Sequence, residues 1–398
     1  MSLRAPAVTG YSTNNEVTLV KGGGDYFDLL ESLIDGSQYL LFFQMYIFDE
    51  GTTGLRVATA LSRAASRGVK VYVLLDGYAS QGLSDEFLER WRTSGVFFRW
   101  FEPLLRSKYF YFGRRLHHKV IVADGLHGLV GGINISDRYN DAPDHVAWLD
   151  WAIYLKGESV HELHDICSRR ALHRRPSGRY KPISLPAGSQ IKKFPECPVR
   201  IRVNDWVRGK REISRSYLDM LRGAKSEVIL MSSYFMPGRD FRKQLRIALK
   251  RGVNVKVILA GPSDVILGKL AERYLYPWLL RNKVEIYEYQ KSILHGKISV
   301  CDGQWVTVGS YNLNELSAKA SVELNVDVLE TAFSEEVQTN LEQIIQQDCI
   351  RVSEKTKAHA GPFDRIVQLA AFELCRLILF MFTFYFKQHR INYRRSSE

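Results

Sequence analysis

The chain has 398 residues, 45% of them apolar and 25% charged, the balance of a folded protein with room for two domains rather than of a disordered one. Its 55 Lys and Arg outnumber 43 Asp and Glu and leave a formal charge of +12, so a large surface faces anions, with nucleic acid and anionic lipid headgroups both fitting. The five cysteines, Cys167, Cys197, Cys301, Cys349 and Cys375, are scattered and lack C-x-x-C spacing. That argues against a disulfide framework or a zinc site and for a reducing compartment.

The first residues, MSLRAPAVTGYSTNNEV, hold one early Arg but no apolar core, so a signal peptide is not expected. A strand-like LLFFQMYIF, a helical stretch and RGVKVYVLLDG (67–77) then read as a β-α-β unit. LHHKVIVADG (116–125) and LVGGINIS (129–136) read as two strands joined at Asp-Gly, a hairpin signal. The Arg-, Pro- and Gly-rich SRRALHRRPSGRYKPISLPAGSQ follows as a connection. The same order then returns as EVILMSSYF, RGVNVKVILAG (251–261), LHGKISVCDG (294–303) and TVGSYNLN (307–314). The chain is written twice. The predicted fold class is α/β: two tandem domains, 1–168 and 201–355, joined by a linker at 169–200 and related by a pseudo-two-fold axis. A C-terminal amphipathic segment, 356–398, completes it.

The repeated unit is His-x-Lys-x4-Asp followed by Gly-[Gly/Ser]-x-Asn. It gives His117, Lys119, Asp124 and Asn134 in one half and His295, Lys297, Asp302 and Asn312 in the other. Strand residues i and i+2 share a face, so each His projects with its Lys. Two halves meeting at a seam surround one point with two imidazoles, two ammonium groups and two carboxamides. That set suits a phosphodiester, because Lys and Asn hold the non-bridging oxygens while charge reorganises. One imidazole can attack phosphorus and the other can protonate the departing alcohol. No metal or other cofactor is called for. Asp124 and Asp302 complete the catalytic set or, preceding Gly in a hairpin turn, serve only the turn. Asp150 and Glu323 lie downstream of the two motifs and are placed to orient the histidines. His118 should point away from the site, and the remaining histidines fit no repeated spacing.

The duplicated motif, with LLDGYASQGLSDEF, RRLHHKVIVADG, SYFMPG and LHGKISVCDGQWVTVGSYNLN, resembles the phospholipase D superfamily and, within it, the bacterial cardiolipin synthase branch, over roughly residues 16–350. The resemblance implies two phospholipase D-type domains, with His117 as nucleophile and His295 as general acid and base; the residues themselves leave the opposite assignment open. It also implies phospholipid substrates: two phosphatidylglycerols, or phosphatidylethanolamine plus phosphatidylglycerol, with release of glycerol or ethanolamine. Gly132 departs from the pattern, standing where many relatives and the second half (Ser310) carry a hydroxyl.

Two segments read as membrane-contacting. Arg106, Lys108, Tyr109, Phe110, Tyr111, Phe112, Arg114 and Arg115 precede the first motif as a basic, aromatic lip. From Asp364 to Lys387 the chain is largely apolar but interrupted by Glu373 and Arg376, and its uncharged run Leu377–Phe386 is half of a spanning length. An interfacial helix is expected, with Arg376, Phe380 and Phe384 in contact with lipid, ahead of a domain-covering helix or a span. The expected location is the cytoplasmic face of the inner cell membrane, peripheral or monotopic, on an anionic surface. Hydrolysis to phosphatidic acid, phosphatidylserine synthesis, cleavage of nucleic acid and a vestigial adaptor remain as competing readings; nucleic acid is not the expected partner. The oligomeric state is left open.

Overall fold

The computed structural model describes residues 10–103, 114–171, 183–185, 192–353 and 361–395. In the first half, β1 (Ser12–Lys21), α1 (Gly24–Gly36), β2 (Leu40–Met45), α2 (Thr52–Ser66), β3 (Lys70–Asp76), α3 (Asp85–Thr93) and β4 (Phe97–Phe101) alternate as expected. The short β5 (Arg115–Leu116), then β6 (Lys119–Ala123), β7 (His127–Gly131), β8 (Trp151–Gly157) and α4 (Glu158–Ala171) complete it. Strands pair in the order β4-β3-β2-β6-β7-β8-β1, parallel from β4 to β2 and antiparallel beyond.

The second half repeats this with β9 (Glu196–Asp205), β10 (Lys210–Arg211), α5 (Glu212–Gly223), β11 (Glu227–Ser232), α6 (Arg239–Lys250), β12 (Asn254–Ala260), α7 (Ile266–Arg281) and β13 (Glu285–Tyr289). It continues through β14 (Lys297–Cys301), β15 (Trp305–Gly309), α8 (Glu315–Lys319), β16 (Ser321–Val328), α9 (Thr331–Asp348) and β17 (Cys349–Val352). The order β13-β12-β11-β14-β15-β16-β9 matches the first sheet strand for strand, with β17 added beside β13. Helix α4 runs through Ala171 and β9 begins at Glu196, so regular structure takes up both ends of the stretch expected as linker.

Alternation along the strands makes three large cores, with a small cluster of Leu74, Phe101, Leu116 and Val322 between the halves. Val120 and Val122 of β6 face a central core with Ile153 of β8, Ile298 and Val300 of β14, and Leu324 and Val326 of β16. Helices α4 and α9 close that core through Leu163 and Val337. Ile121 and Ala123 point the other way, to Phe27, Leu61 and Trp91 under α1–α3. Val228 and Leu230 do the same toward Tyr217 and Leu245 under α5 and α6. Both sheets are covered on both faces, which is why their strands read as near-continuous apolar runs.

The seam is made reciprocally. Leu116 of the first half pairs with Val322 of the second, and Leu294 of the second bridges to Leu149 of the first. In the repeat Leu116 matches Leu294 and Leu149 matches Val322, so the same contact is made twice with the halves exchanged, as two-fold-like packing requires.

The C-terminal segment is one helix, Pro362–Arg395. Ala371 is buried, and the Phe372 ring lies 4.8 Å from Tyr274 of α7. The helix therefore covers α7, and it also leaves Phe363, Ile366, Leu377, Phe380 and Met381 exposed. Among the described residues no helix is long and apolar enough to cross a membrane. The lip residues Arg106, Lys108, Tyr109, Phe110, Tyr111 and Phe112, and the Phe384 side chain, lie outside the described residues.

Candidate active site

The two histidines sit one residue beyond the seam pairings, and the backbone there determines what each meets. His117 N donates to Val322 O at 2.9 Å, and the next residue of that strand, Glu323, brings Oε2 to 2.8 Å from His117 Nδ1. Likewise His295 N donates to Leu149 O at 2.8 Å, and Asp150 Oδ2 lies 2.6 Å from His295 Nδ1. Each imidazole is thus oriented by the acid of the opposite half. With Nδ1 engaged in both rings, Nε2 is the nitrogen left to face a substrate.

The lysines follow their histidines. Lys119 Nζ donates to His117 O at 2.6 Å, and Lys297 Nζ donates to His295 O and, at 3.1 Å, to Ser233 Oγ. Both lysines are almost wholly buried. Burial and the neighbouring Lys297 push Lys119 down to about 7, and burial pushes Lys297 down to about 8 against the pull of Asp150 and Glu323. Burial lowers His117, with Glu323 opposing, and lowers His295 further with help from Lys297 and Lys119. Burial also pushes the Asp150 carboxyl up to about 7 although Lys297 draws it down. Glu323 differs: burial would raise it, but His117 and the Ser310 hydroxyl hold it below its ordinary value. Two buried lysines, two neutral-leaning imidazoles and two acids meet in one place, a preorganised surrounding that favours an anionic phosphodiester without reorienting water.

Aromatic groups that the motif did not reveal line the site. The Tyr46 ring is 4.7 Å from His117, with Lys119 Nζ 5.0 Å from its centre. Tyr139 and Trp148 lie 5.2 and 6.2 Å from the His295 ring, and the Arg138 guanidinium stands 5.1 Å over Trp148. The strand registers make Tyr46 the counterpart of Ser233, one residue beyond β2 and β11. Carrying the repeat past LLFFQM and EVILMS would have found both.

The asparagines are used differently. Asn134 Oδ1 accepts from Ile47 N at 3.2 Å and its amide donates to Tyr139 OH at 2.9 Å, so it braces the site wall. Asn312 is buried, and its Oδ1 has no partner among the described residues, a group with capacity left for a ligand.

Asp124 and Asp302, left open between the catalytic set and the hairpin turn, stand at the turns. Each follows the strand that begins with the lysine, about 16 Å away along five residues of extended chain. Asp124 accepts from the backbone N–H of Gln38, Tyr39 and Leu40, all at 2.8 Å. Asp302 accepts from Lys225 and Ser226 N at 2.8 Å and from Glu227 N at 2.9 Å. Both hold positive φ, 54° and 53°, at the Asp-Gly turns. They clamp the start of β2 and β11, because a carboxylate in a left-handed turn is placed to collect backbone donors. His118 is fully buried, with Nε2 2.9 Å from Gln44 Oε1 on the side away from His117 and Lys119. Among the described residues no acid, His or Cys cluster is arranged to hold a metal.

The sequence profile of the family described as cardiolipin synthase, PLD-like domain, matches residues 30–158 and 217–345. The chain is 34% identical to cardiolipin synthase B of Shigella flexneri over 350 residues, spanning 85% of this chain and 83% of that one. Cardiolipin synthase B of Escherichia coli K12 gives the same figures, 34% over 350 residues. Among solved structures, phosphatidylserine synthase of Haemophilus influenzae superimposes with a TM-score of 0.69 at 14% identity, covering 91% of this chain and 93% of that one. At that identity the likeness concerns the fold.

Proposed function

Because the chain belongs to the cardiolipin synthase family of phospholipase D-like domains, we propose that it transfers a phosphatidyl group from phosphatidylglycerol or phosphatidylethanolamine to phosphatidylglycerol through a phosphohistidine. The observation that carries this reading is the crossed pairing, His117 with Glu323 and His295 with Asp150, around two buried lysines. His117 Nε2 attacks phosphorus while the bond to the departing glycerol or ethanolamine oxygen breaks, and His295, carrying a proton on Nε2 once the anionic phosphodiester is bound, protonates that oxygen. The hydroxyl of the incoming phosphatidylglycerol then gives its proton to His295 as its oxygen displaces His117. Lys119 and Lys297 neutralise the non-bridging oxygens in both steps, and Asn312 supplies a further hydrogen-bonding group.

The site works at an anionic bilayer surface, on its cytoplasmic side. Support comes from the exposed apolar residues of the C-terminal helix and from Val265 and Ile266 at the start of α7, the latter 74% exposed. These adjoin Asp264, which accepts from Tyr234 OH at 2.7 Å, one residue from Ser233 on Lys297. Exposed apolar residues at the start of α7 therefore adjoin the rim of the site, where acyl chains must remain in lipid. Arg376, exposed and paired with Glu373 at 2.8 Å, lies on the same helix as the exposed apolar residues. The free cysteines fit the cytoplasmic side.

The test is incubation of the purified protein with phosphatidylglycerol vesicles, with and without phosphatidylethanolamine, followed by mass spectrometry of the lipids. Cardiolipin with released glycerol or ethanolamine, lost in His117→Ala and His295→Ala, is the expected result. Phosphatidic acid as sole product would make the protein a hydrolase, and DNA cleavage without lipid turnover would overturn the lipid reading.

A further inference from the structure

The two histidine–carboxylate pairs are not copies of each other. Residue 132 is Gly where the repeat has Ser310, and residue 150 is Asp where it has Glu323. These two differences touch. A Cβ added at Gly132 would stand 2.4 Å from Asp150 Oδ1, 2.6 Å from Oδ2 and 2.8 Å from Cγ. Asp150 cannot swing away without losing its partners. It is fully buried, with Oδ1 accepting from Trp151 N at 2.7 Å and Oδ2 engaged by His295.

In the second half the acid is one methylene longer, and the Ser310 side chain occupies the matching place. Its hydroxyl donates to Glu323 Oε2 at 2.5 Å, while Ser310 Oγ accepts from Leu324 N at 3.1 Å. Side-chain volume at 132 or 310 therefore goes with acid length at 150 or 323, serine with the longer acid and glycine with the shorter. Neither residue of a pair can be exchanged alone without disturbing its histidine.

The matching has a chemical consequence. Glu323 Oε2 is shared by two donors, His117 and Ser310, and Lys119 and Lys297 also face this acid. A doubly held anion suits a ring that becomes cationic when bonded to phosphorus and must stay in place until displaced. Asp150 has a single backbone donor besides His295, and Lys297, Lys119, Tyr139 and Tyr26 surround it. A short pair without an anchoring hydroxyl suits a ring that gives up a proton and takes one back in each cycle.

We propose that the side chains at 132 and 310 position the two histidines for the duties given above. Ser310, through Glu323, positions His117 as the nucleophile, and the missing side chain at Gly132 lets Asp150 position His295 as the proton donor and acceptor. Gly132 and Ser310 are positioning residues, and the inference rests on the two-histidine reading above. One P–N bond forms and breaks per cycle, and one proton passes through His295 in each direction.

The test uses two donors, phosphatidylglycerol and a phosphatidyl p-nitrophenol, whose leaving group departs without a proton. A burst of nitrophenol lost in His117→Ala marks the covalent step; its absence in the wild-type protein would undo the two-histidine reading itself. Given the burst, Gly132→Ala is expected to slow phosphatidylglycerol turnover by about 100-fold, the scale of general acid catalysis, and the burst by less than about 5-fold. Ser310→Ala is expected to slow both by about 10-fold, with Ser310→Thr restoring the rate. The double variant Gly132→Ser with Asp150→Glu should outperform Gly132→Ser alone, since it rebuilds the second half's arrangement. Equal loss with both donors in Gly132→Ala, or a normal burst in Ser310→Ala, would overturn the assignment. Should Gly132→Ala fail to fold, the Ser310 pair of variants decides.

Discussion

The first and second halves of the site carry the same charges in different surroundings. Lys119 lies against the Tyr46 ring, whereas Lys297 meets the Ser233 hydroxyl. Asn134 is committed to Ile47 and Tyr139, whereas the buried Asn312 oxygen has no partner among the described residues. His295 is flanked by Tyr139 and Trp148, whereas His117 has Tyr46. Backbone duplication is enough to place the charges, because strand alternation and seam pairing are properties of the main chain. The lining depends on side chains alone, and there the halves have diverged.

The largest expected effects come from breaking the equivalence of the histidines. His117→Ala should lower cardiolipin formation by at least about 10³-fold and leave no lipid adduct on the protein. His295→Ala should lose about 10²–10⁴-fold but still accumulate adduct on His117, detectable by mass spectrometry of peptides. Adduct on the remaining histidine in both variants would mean the rings share both duties. Removing charge from the orienting acids, Glu323→Gln or Asp150→Asn, should cost about 10²-fold or more in kcat with KM nearly unchanged. A change confined to KM would instead make these acids substrate contacts.

The lysines sharpen the comparison through pH. Burial holds Lys119 at about 7 in the folded chain against its ordinary 10.5. Between those values the unfolded chain keeps a proton that the folded chain has released, so this group makes stability rise with pH. Lys119→Met should lose activity by about 10²-fold and yet have a Tm above wild type. That gap should be widest at pH 7 and below and close toward pH 10. The reverse trend in thermal unfolding would mean that ion pairing, not burial, governs this lysine.

Smaller effects are expected where the motif aspartates act as clamps. Asp124→Ala and Asp302→Ala should each lower unfolding stability by about 2 kcal/mol or more, the scale of lost charged hydrogen bonds. The kcat of the folded fraction should stay within about 3-fold; a kcat collapse with unchanged Tm would return them to the catalytic set. Least of all should the chemistry respond to Ile366→Asp or Phe380→Asp. These are expected to weaken vesicle binding by about 10-fold, measured by sedimentation, while sparing turnover of a short-chain soluble donor.

The paired strands, the Asp-Gly turns and the His-x-Lys spacing are local, and each could be read from a few consecutive residues such as LHHKVIVADG and LHGKISVCDG. The same local reading left Asp124 and Asp302 open between the catalytic set and the turn. Spacing put them beside the lysines in sequence, but a five-residue extended strand separates the two ends. Tyr46, Tyr139, Trp148 and Ser233 went unseen because aromatic and hydroxyl residues have no periodicity that marks them as site lining.

The chain by itself determined the duplication, the α/β alternation and the residues able to handle a phosphodiester, because those follow from patterns along the backbone. Only tertiary structure decided that Asp150 serves His295 and Glu323 serves His117. Those partners are 145 and 206 residues apart. What brings them together is the reciprocal packing of Leu116 on Val322 and Leu294 on Leu149, an arrangement between surfaces that no spacing within either half encodes.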